Sequence, residues 1–122
     1  MICVITLYEV ETANIAAFAS AFDVSGPWKR ITDRLPGHVY TQLLRRANGL
    51  LFYLVQDTWE SERDHKNAEN SAKVFIFRQS LRTLVGCQQC LGIFRFRDQW
   101  EQELNSDRTY RHPSDLRSWE LD

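Results

Sequence analysis

The sequence predicts one α+β domain with its elements in the order βαββαβ. Three observations carry this reading. The chain starts with a β-branched run, Ile2 to Glu9. A central stretch, Leu35 to Ser61, holds two apolar runs either side of Asn48-Gly49, the strongest short-range hairpin signal. Apolar residues recur at helical period both before and after that hairpin.

The elements follow in order. Ile2–Glu9 is the first strand. Glu11 and Thr12 open a helix with Thr12 as its N-cap, and Ile15, Phe18 and Phe22 lie on one face at i, i+3, i+7. Ser25-Gly26-Pro27 interrupts this helix, because proline is tolerated in a first turn and not in mid-helix. Trp28, Ile31 and Leu35 resume the spacing, and Pro36-Gly37 stops it. In the hairpin, His38, Tyr40, Gln42 and Leu44 share one face of the first strand by simple alternation. Tyr53, Val55, Asp57 and Trp59 share one face of the second. Both faces of the hairpin are largely apolar, so both are expected to be covered. The chain's own helices supply one cover and a second copy is the simplest other. Ser61 caps a short helix, with Asp64 approximating a capping box. Val74, Phe77, Leu81, Leu84 and Val85 form the stripe of a further helix, which leaves Ile76 and Phe75 off the core. Gly86 is a natural C′ residue, and Cys87 to Phe96 is the last strand.

At 122 residues the chain is long enough for one packed core. Hydrophobic residues at 43% and charged residues at 25% are ordinary for a globular domain. The net charge of −1 gives no basic patch for nucleic acid and no polybasic run for a membrane surface. Residues 1–97 carry net charge +3 and residues 98–122 carry −4. This division predicts a domain over 1–97 and a different kind of segment over 98–122, a short helix around Trp100 and Leu104 followed by an extended arm. Trp119 and Leu121 are apolar enough to anchor that arm on this subunit or a neighbour. The N-terminus reads as a strand and not a signal peptide. With three cysteines, it points to a reducing cytoplasm.

Two βαβ-type halves around a central hairpin make the ferredoxin-like split βαβ fold, with strand order 4-1-3-2. Several features are similar to the antibiotic biosynthesis monooxygenase family. These are Trp28 ahead of Pro36-Gly37, the run Thr41-Gln42-Leu43-Leu44-Arg45, a strand ending Asp57-Thr58-Trp59-Glu60-Ser61, and a final helix and strand. The resemblance covers residues 1–97. It implies a dimeric α/β barrel in which two sheets pack face to face, matching the second cover that the hairpin requires. It also implies a monooxygenase that works without metal, flavin or other cofactor on an aromatic or polyketide-like small molecule. The alternative, from another class, is a non-catalytic small-ligand-binding or structural dimer.

Oxygenation of an activated phenol needs an apolar aromatic pocket, a base that favours the phenolate, and polar groups for reduced oxygen. The candidate set is Tyr8, Trp28, His38, Tyr40, Trp59 and His65. His65 and Tyr40 are the candidate catalytic pair; Tyr8, Trp28, His38 and Trp59 are candidate substrate-binding residues. Each also has a plain structural reading: Trp59 fits a strand–helix corner, Trp28 and the tyrosines fit a core, His38 a sheet edge and His65 a solvated helix. The haem-degrading branch of the superfamily implies an asparagine on the first strand and a tryptophan and histidine on the later helices. The first strand has no asparagine, and Ala68 and Arg78 fall near the other two places, so that chemistry is not expected. Cys87-Gln88-Gln89-Cys90 enters a strand and not a helix, which argues against a redox pair, and two more ligands would be needed for zinc. No glycine-rich phosphate loop occurs.

Overall fold

The computed structural model describes residues 1–49, 51–97 and 100. The expected helix and arm over 98–122, with Trp119 and Leu121, lie outside the described residues apart from Trp100.

Strand β1 (Ile2–Val10) leads through a 3₁₀ turn (Thr12–Asn14) into α1 (Ile15–Ala21) and α2 (Pro27–Thr32). Strands β2 (His38–Arg45) and β3 (Phe52–Trp59) form the hairpin. Helices α3 (Glu62–Glu69) and α4 (Ala72–Arg82) lead to β4 (Val85–Arg95). The sheet runs β2-β3-β1-β4 with every neighbour antiparallel, the order expected. This is the α+β ferredoxin-like fold.

Register places the even-numbered residues of β1 beside the odd-numbered residues of β3, with Val4 facing Asp57, Thr6 facing Val55 and Ile2 facing Trp59. These residues meet the helices. Tyr8, Val10, Tyr53 and Val55 pack with Phe18 of α1, Trp28 of α2, and Val74, Phe77 and Leu81 of α4 in one buried cluster. Phe18 sits at its centre, its ring centroid 5.3 Å from those of Tyr8, Phe22 and Tyr53. A second cluster joins Ile2, Trp59 and Ala68. On the opposite sheet face, Leu44 and Phe94 are exposed and no element among the described residues covers them.

The proline at 27 takes the first position of α2, so the break expected at Ser25-Gly26-Pro27 is a helix restart. Ser61 caps α3 by accepting the Asp64 amide at 3.1 Å. Its hydroxyl also donates to Asp64 Oδ2 at 2.9 Å, where a full capping box would turn that carboxylate to the Ser61 amide.

Four local expectations are corrected. Thr12 is inside the 3₁₀ turn and makes no cap; Glu11 and Asn14 hold the flanking positions, without side-chain capping bonds. The hairpin has no two-residue turn. The strands stop at Arg45 and Phe52, Gly49 alone among the described residues of the connection takes positive φ (126°), and a type I′ turn would need Asn48 to do so too. Gly86 lies in β4 and not beyond a helix end, because α4 stops at Arg82. Finally, the β2–β3 register shifts between His38 and Tyr40. This bulge puts His38 on the helix-covered face with Thr41 and Leu43, and leaves Tyr40 on the open face with Gln42 and Leu44. Simple alternation keeps His38 and Tyr40 together; an extra residue in one strand separates them.

Candidate functional site

Two charged residues interrupt otherwise apolar faces, and a polar cluster forms around them. Asp57 follows Tyr53 and Val55 on the inward face of β3, and Arg78 lies within the Val74–Phe77–Leu81 stripe of α4. A buried carboxylate is tolerated only when donors surround it. Asp57 Oδ1 accepts the Trp28 indole N–H at 3.0 Å and the Thr41 hydroxyl, and lies 3.2 Å from His38 Nε2. Trp28 Nε1 and His38 Nε2 are each 3.0 Å from Thr41 Oγ1 as well. The cluster thus ties α2 to the hairpin at the level of the β2 bulge.

A second polar chain runs along the helices. His65 and Glu69 sit one turn apart on α3, with His65 Nε2 3.5 Å from Glu69 Oε1. Arg78 donates to both carboxylate oxygens of Glu69, from Nε at 3.1 Å and Nη2 at 2.5 Å. Its guanidinium also lies 5.3 Å from the Trp28 ring centre. Burial opposes ionisation of Glu69, but the bonds and charges of His65 and Arg78 overcome it and hold the carboxyl down at about 2. Burial likewise opposes the Arg78 charge, and Glu69 more than restores it, raising its pKa. Tyr8 is pushed up by burial, with Arg78 pulling partly back.

Between the two chains is an enclosed pocket of about 10 Å³, room for roughly one water. Thr6, Tyr8, Asp57, Trp59, His65 and Arg78 are among its walls, and Phe22 is another. The Trp59 ring bridges the two histidines, 4.8 Å from His38 edge-on and 5.9 Å from His65. The Trp59 indole N–H is buried and finds no partner among the described residues.

Phe22 also lines a cleft of about 130 Å³ between the α1–α2 loop and β2, with Trp28, His38, Tyr40 and Thr41 in its lining. The six residues expected from the sequence therefore divide into two groups. Tyr8, Trp59 and His65 line the inner pocket, while Trp28, His38 and Tyr40 line the outer cleft. His65 and Tyr40 are not brought into one pocket; Tyr40 is 50% exposed. Sequence reasoning misses Asp57, Glu69, Arg78 and Thr41, although a charged residue inside an apolar stripe is an available signal for Asp57 and Arg78.

A roomier hollow lies elsewhere. A groove of about 610 Å³ runs between α1, α2 and α4, lined by Ala21, Ile31, Ile76, Phe77 and Leu84, among others. Its polar lining is Ser20, Ser80 and Lys73, so it offers a binding surface without an acid–base pair. No three His, Cys, Asp or Glu side chains gather for a metal among the described residues. The cysteine pair of β4 is exposed; Cys87 faces Glu9 of β1, far from Cys3, which faces Phe94. No described helix is long and apolar enough to cross a membrane.

No family model matches the sequence, and no curated protein matches it. Solved structures do match. The fold is similar to a single-residue mutant of SnoaB from Streptomyces nogalater, a cofactor-independent oxygenase: TM-score 0.65, 22% identity, over 79% of this chain and 92% of that one. It is similar to a candidate antibiotic biosynthesis monooxygenase from Nitrosomonas europaea at TM-score 0.66 and 15% identity, over 79% and 89%. A third such protein, from Deinococcus radiodurans, matches at TM-score 0.66 and 11% identity, over 79% and 92%. The family resemblance read from residues 1–97 thus holds at the level of the fold.

Proposed function

We propose, from a fold shared with antibiotic biosynthesis monooxygenases, that this protein is a cofactor-independent monooxygenase acting on an aromatic or polyketide-like small molecule. The observation that carries the proposal is the convergence of Arg78, His65 and Trp59 on one interior pocket, with the Trp59 indole N–H buried and without a partner among the described residues. A half-buried arginine fixed by Glu69 is a preorganised positive charge, the kind of group that stabilises an oxyanion or reduced oxygen.

The substrate is its own reductant in this chemistry. His65 takes a proton from the CH2 that the phenolic ring activates, and the resulting carbanion passes an electron to dioxygen. The radical pair recombines as a peroxide at that same carbon, and the proton held by His65 returns to the outer peroxide oxygen. Loss of water then leaves a ketone: one oxygen atom stays on carbon, and the other departs with the two CH2 hydrogens. Arg78 and the Trp59 N–H hold the developing negative charge, Tyr8 lines the same pocket, and Trp28, His38 and Tyr40 form the approach. Tyr40 acts there in binding and not as a partner of His65. Uptake of dioxygen with a phenolic CH2 substrate in chelator-treated buffer tests this reading; no uptake above the buffer rate with any such substrate contradicts it.

The working unit we propose is a cytoplasmic homodimer joined through the open sheet face, where Leu44 and Phe94 are exposed. The apolar groove of about 610 Å³ favours the second reading, a non-catalytic small-ligand-binding dimer. That reading gains if an apolar ligand binds there and mutation of Arg78 leaves binding unchanged.

A further inference from the structure

Phe22 lines both the outer cleft and the inner pocket. It caps the C-terminal end of α1, and its side chain is half-buried. Its ring stands 5.7 Å from Phe77, edge-on, and 6.5 Å from Tyr8. Trp28, His38 and Tyr40 line the cleft and His65, Arg78 and Trp59 the pocket; Trp28 meets Arg78 and His38 meets Trp59 along the rest of the wall between them. The volumes on the two sides differ sharply. A cleft of about 130 Å³ approaches the size that takes one benzene ring, whereas about 10 Å³ holds a water.

The backbone around Phe22 is tied down. The Gly26 amide donates to Asp23 O at 2.9 Å, and Arg30 Nη1 donates to Ser25 O at 2.6 Å. A Cβ at Gly26 would run into the Ser20 carbonyl, so the loop folds tightly onto the end of α1. A change that opens the site without opening the loop must then be a change in the Phe22 side chain between staggered positions.

We infer that Phe22 is the gate of the site: its ring divides the cleft from the inner pocket, and its displacement admits an aromatic ring to Arg78 and His65. The site then takes flat, ring-sized molecules in two stages, first against Trp28 and Tyr40 and then past Phe22. This inference rests on the proposed oxygenase site for its ligand class, but the partition itself can be measured without catalysis.

The test uses the full chain with Trp100→Phe and Trp119→Phe, so that Trp28 and Trp59, one on each side of Phe22, report alone. Acrylamide quenching of their fluorescence is compared in this parent and in Phe22→Leu and Phe22→Ala, with dioxygen as a smaller quencher. Removing the ring joins two spaces, so acrylamide quenching rises about threefold in Phe22→Ala and less in Phe22→Leu. Dioxygen quenching stays level. Unchanged acrylamide quenching overturns the gate, and so does a rise shared equally by dioxygen, which would mean general loosening. Titration with 2-naphthol separates the two readings. Binding about tenfold tighter in Phe22→Ala supports gate and site together. Raised acrylamide quenching with no 2-naphthol binding supports the gate and removes the phenolic site.

Discussion

Arg78 and Glu69 face each other in a two-pronged pair, Nε to Oε2 and Nη2 to Oε1, with His65 Nε2 3.5 Å from that same Oε1. The pair joins α4 to α3 and holds the guanidinium beside the inner pocket. Glu69 is held at about 2, below its ordinary value of 4.5. A depressed carboxyl lends stability above its unfolded pKa and loses it as pH falls toward the folded one. The wild type is therefore expected to lose more melting temperature than Glu69→Gln between pH 4.5 and 2. The difference will be modest, because the carboxylate is partly solvated and screened. Melting curves of both proteins across that range are the check.

Asp57 is the acceptor for Trp28 and Thr41 inside the fold. Asp57→Ala removes their charged acceptor and leaves Trp28 and Thr41 only each other and His38, and is expected to cost about 2 kcal/mol, read from urea unfolding. A double-mutant cycle with Trp28→Phe should give a coupling of about 1–2 kcal/mol. Independent, additive effects would mean that the indole N–H bond contributes nothing.

Gly37 connects α2 to β2 at φ 83°, and a Cβ there would collide with the Asp64 carboxylate. Its carbonyl accepts the Glu60 amide at 2.7 Å, fixing the strand end that carries Trp59. Gly37→Ala combines left-handed strain with a clash, for a loss of about 2 kcal/mol or more. Paired with Asp64→Gly, which removes the obstructing side chain, the loss should shrink toward the strain alone. Equal losses in both backgrounds would remove the clash from the explanation.

Much of this fold is legible in the sequence because it rests on periodicity. Phe18, Val74, Phe77 and Leu81 announce helix faces, and the apolar runs around Asn48-Gly49 announce a hairpin. The candidate site is less legible because it depends on register. One extra residue between His38 and Tyr40 turns them to opposite faces, and alternation cannot foresee it. The two polar groupings draw on β2, β3, α2, α3 and α4, so Asp57 and Arg78 come to line one pocket only once long-range packing is in place. Their one local signal is a charge set in an apolar stripe.

The open sheet face leads to a separate expectation. Exposed Leu44 and Phe94 sit on opposite edges of a face that no described element covers. Light scattering at micromolar concentration should give twice the chain mass, and Leu44→Glu with Phe94→Asp should give a monomer. A monomeric wild type contradicts the dimer.

Dioxygen uptake by the wild type and Arg78→Met tests the central claim most directly. With a phenolic CH2 substrate in chelated buffer, one dioxygen should be consumed per ketone formed, with label from ¹⁸O₂ in the product. Loss of the Arg78 charge should lower the rate about 10²–10³-fold while the fold, followed by circular dichroism, persists. Uptake that Arg78→Met leaves intact, or label absent from the product, would contradict the account.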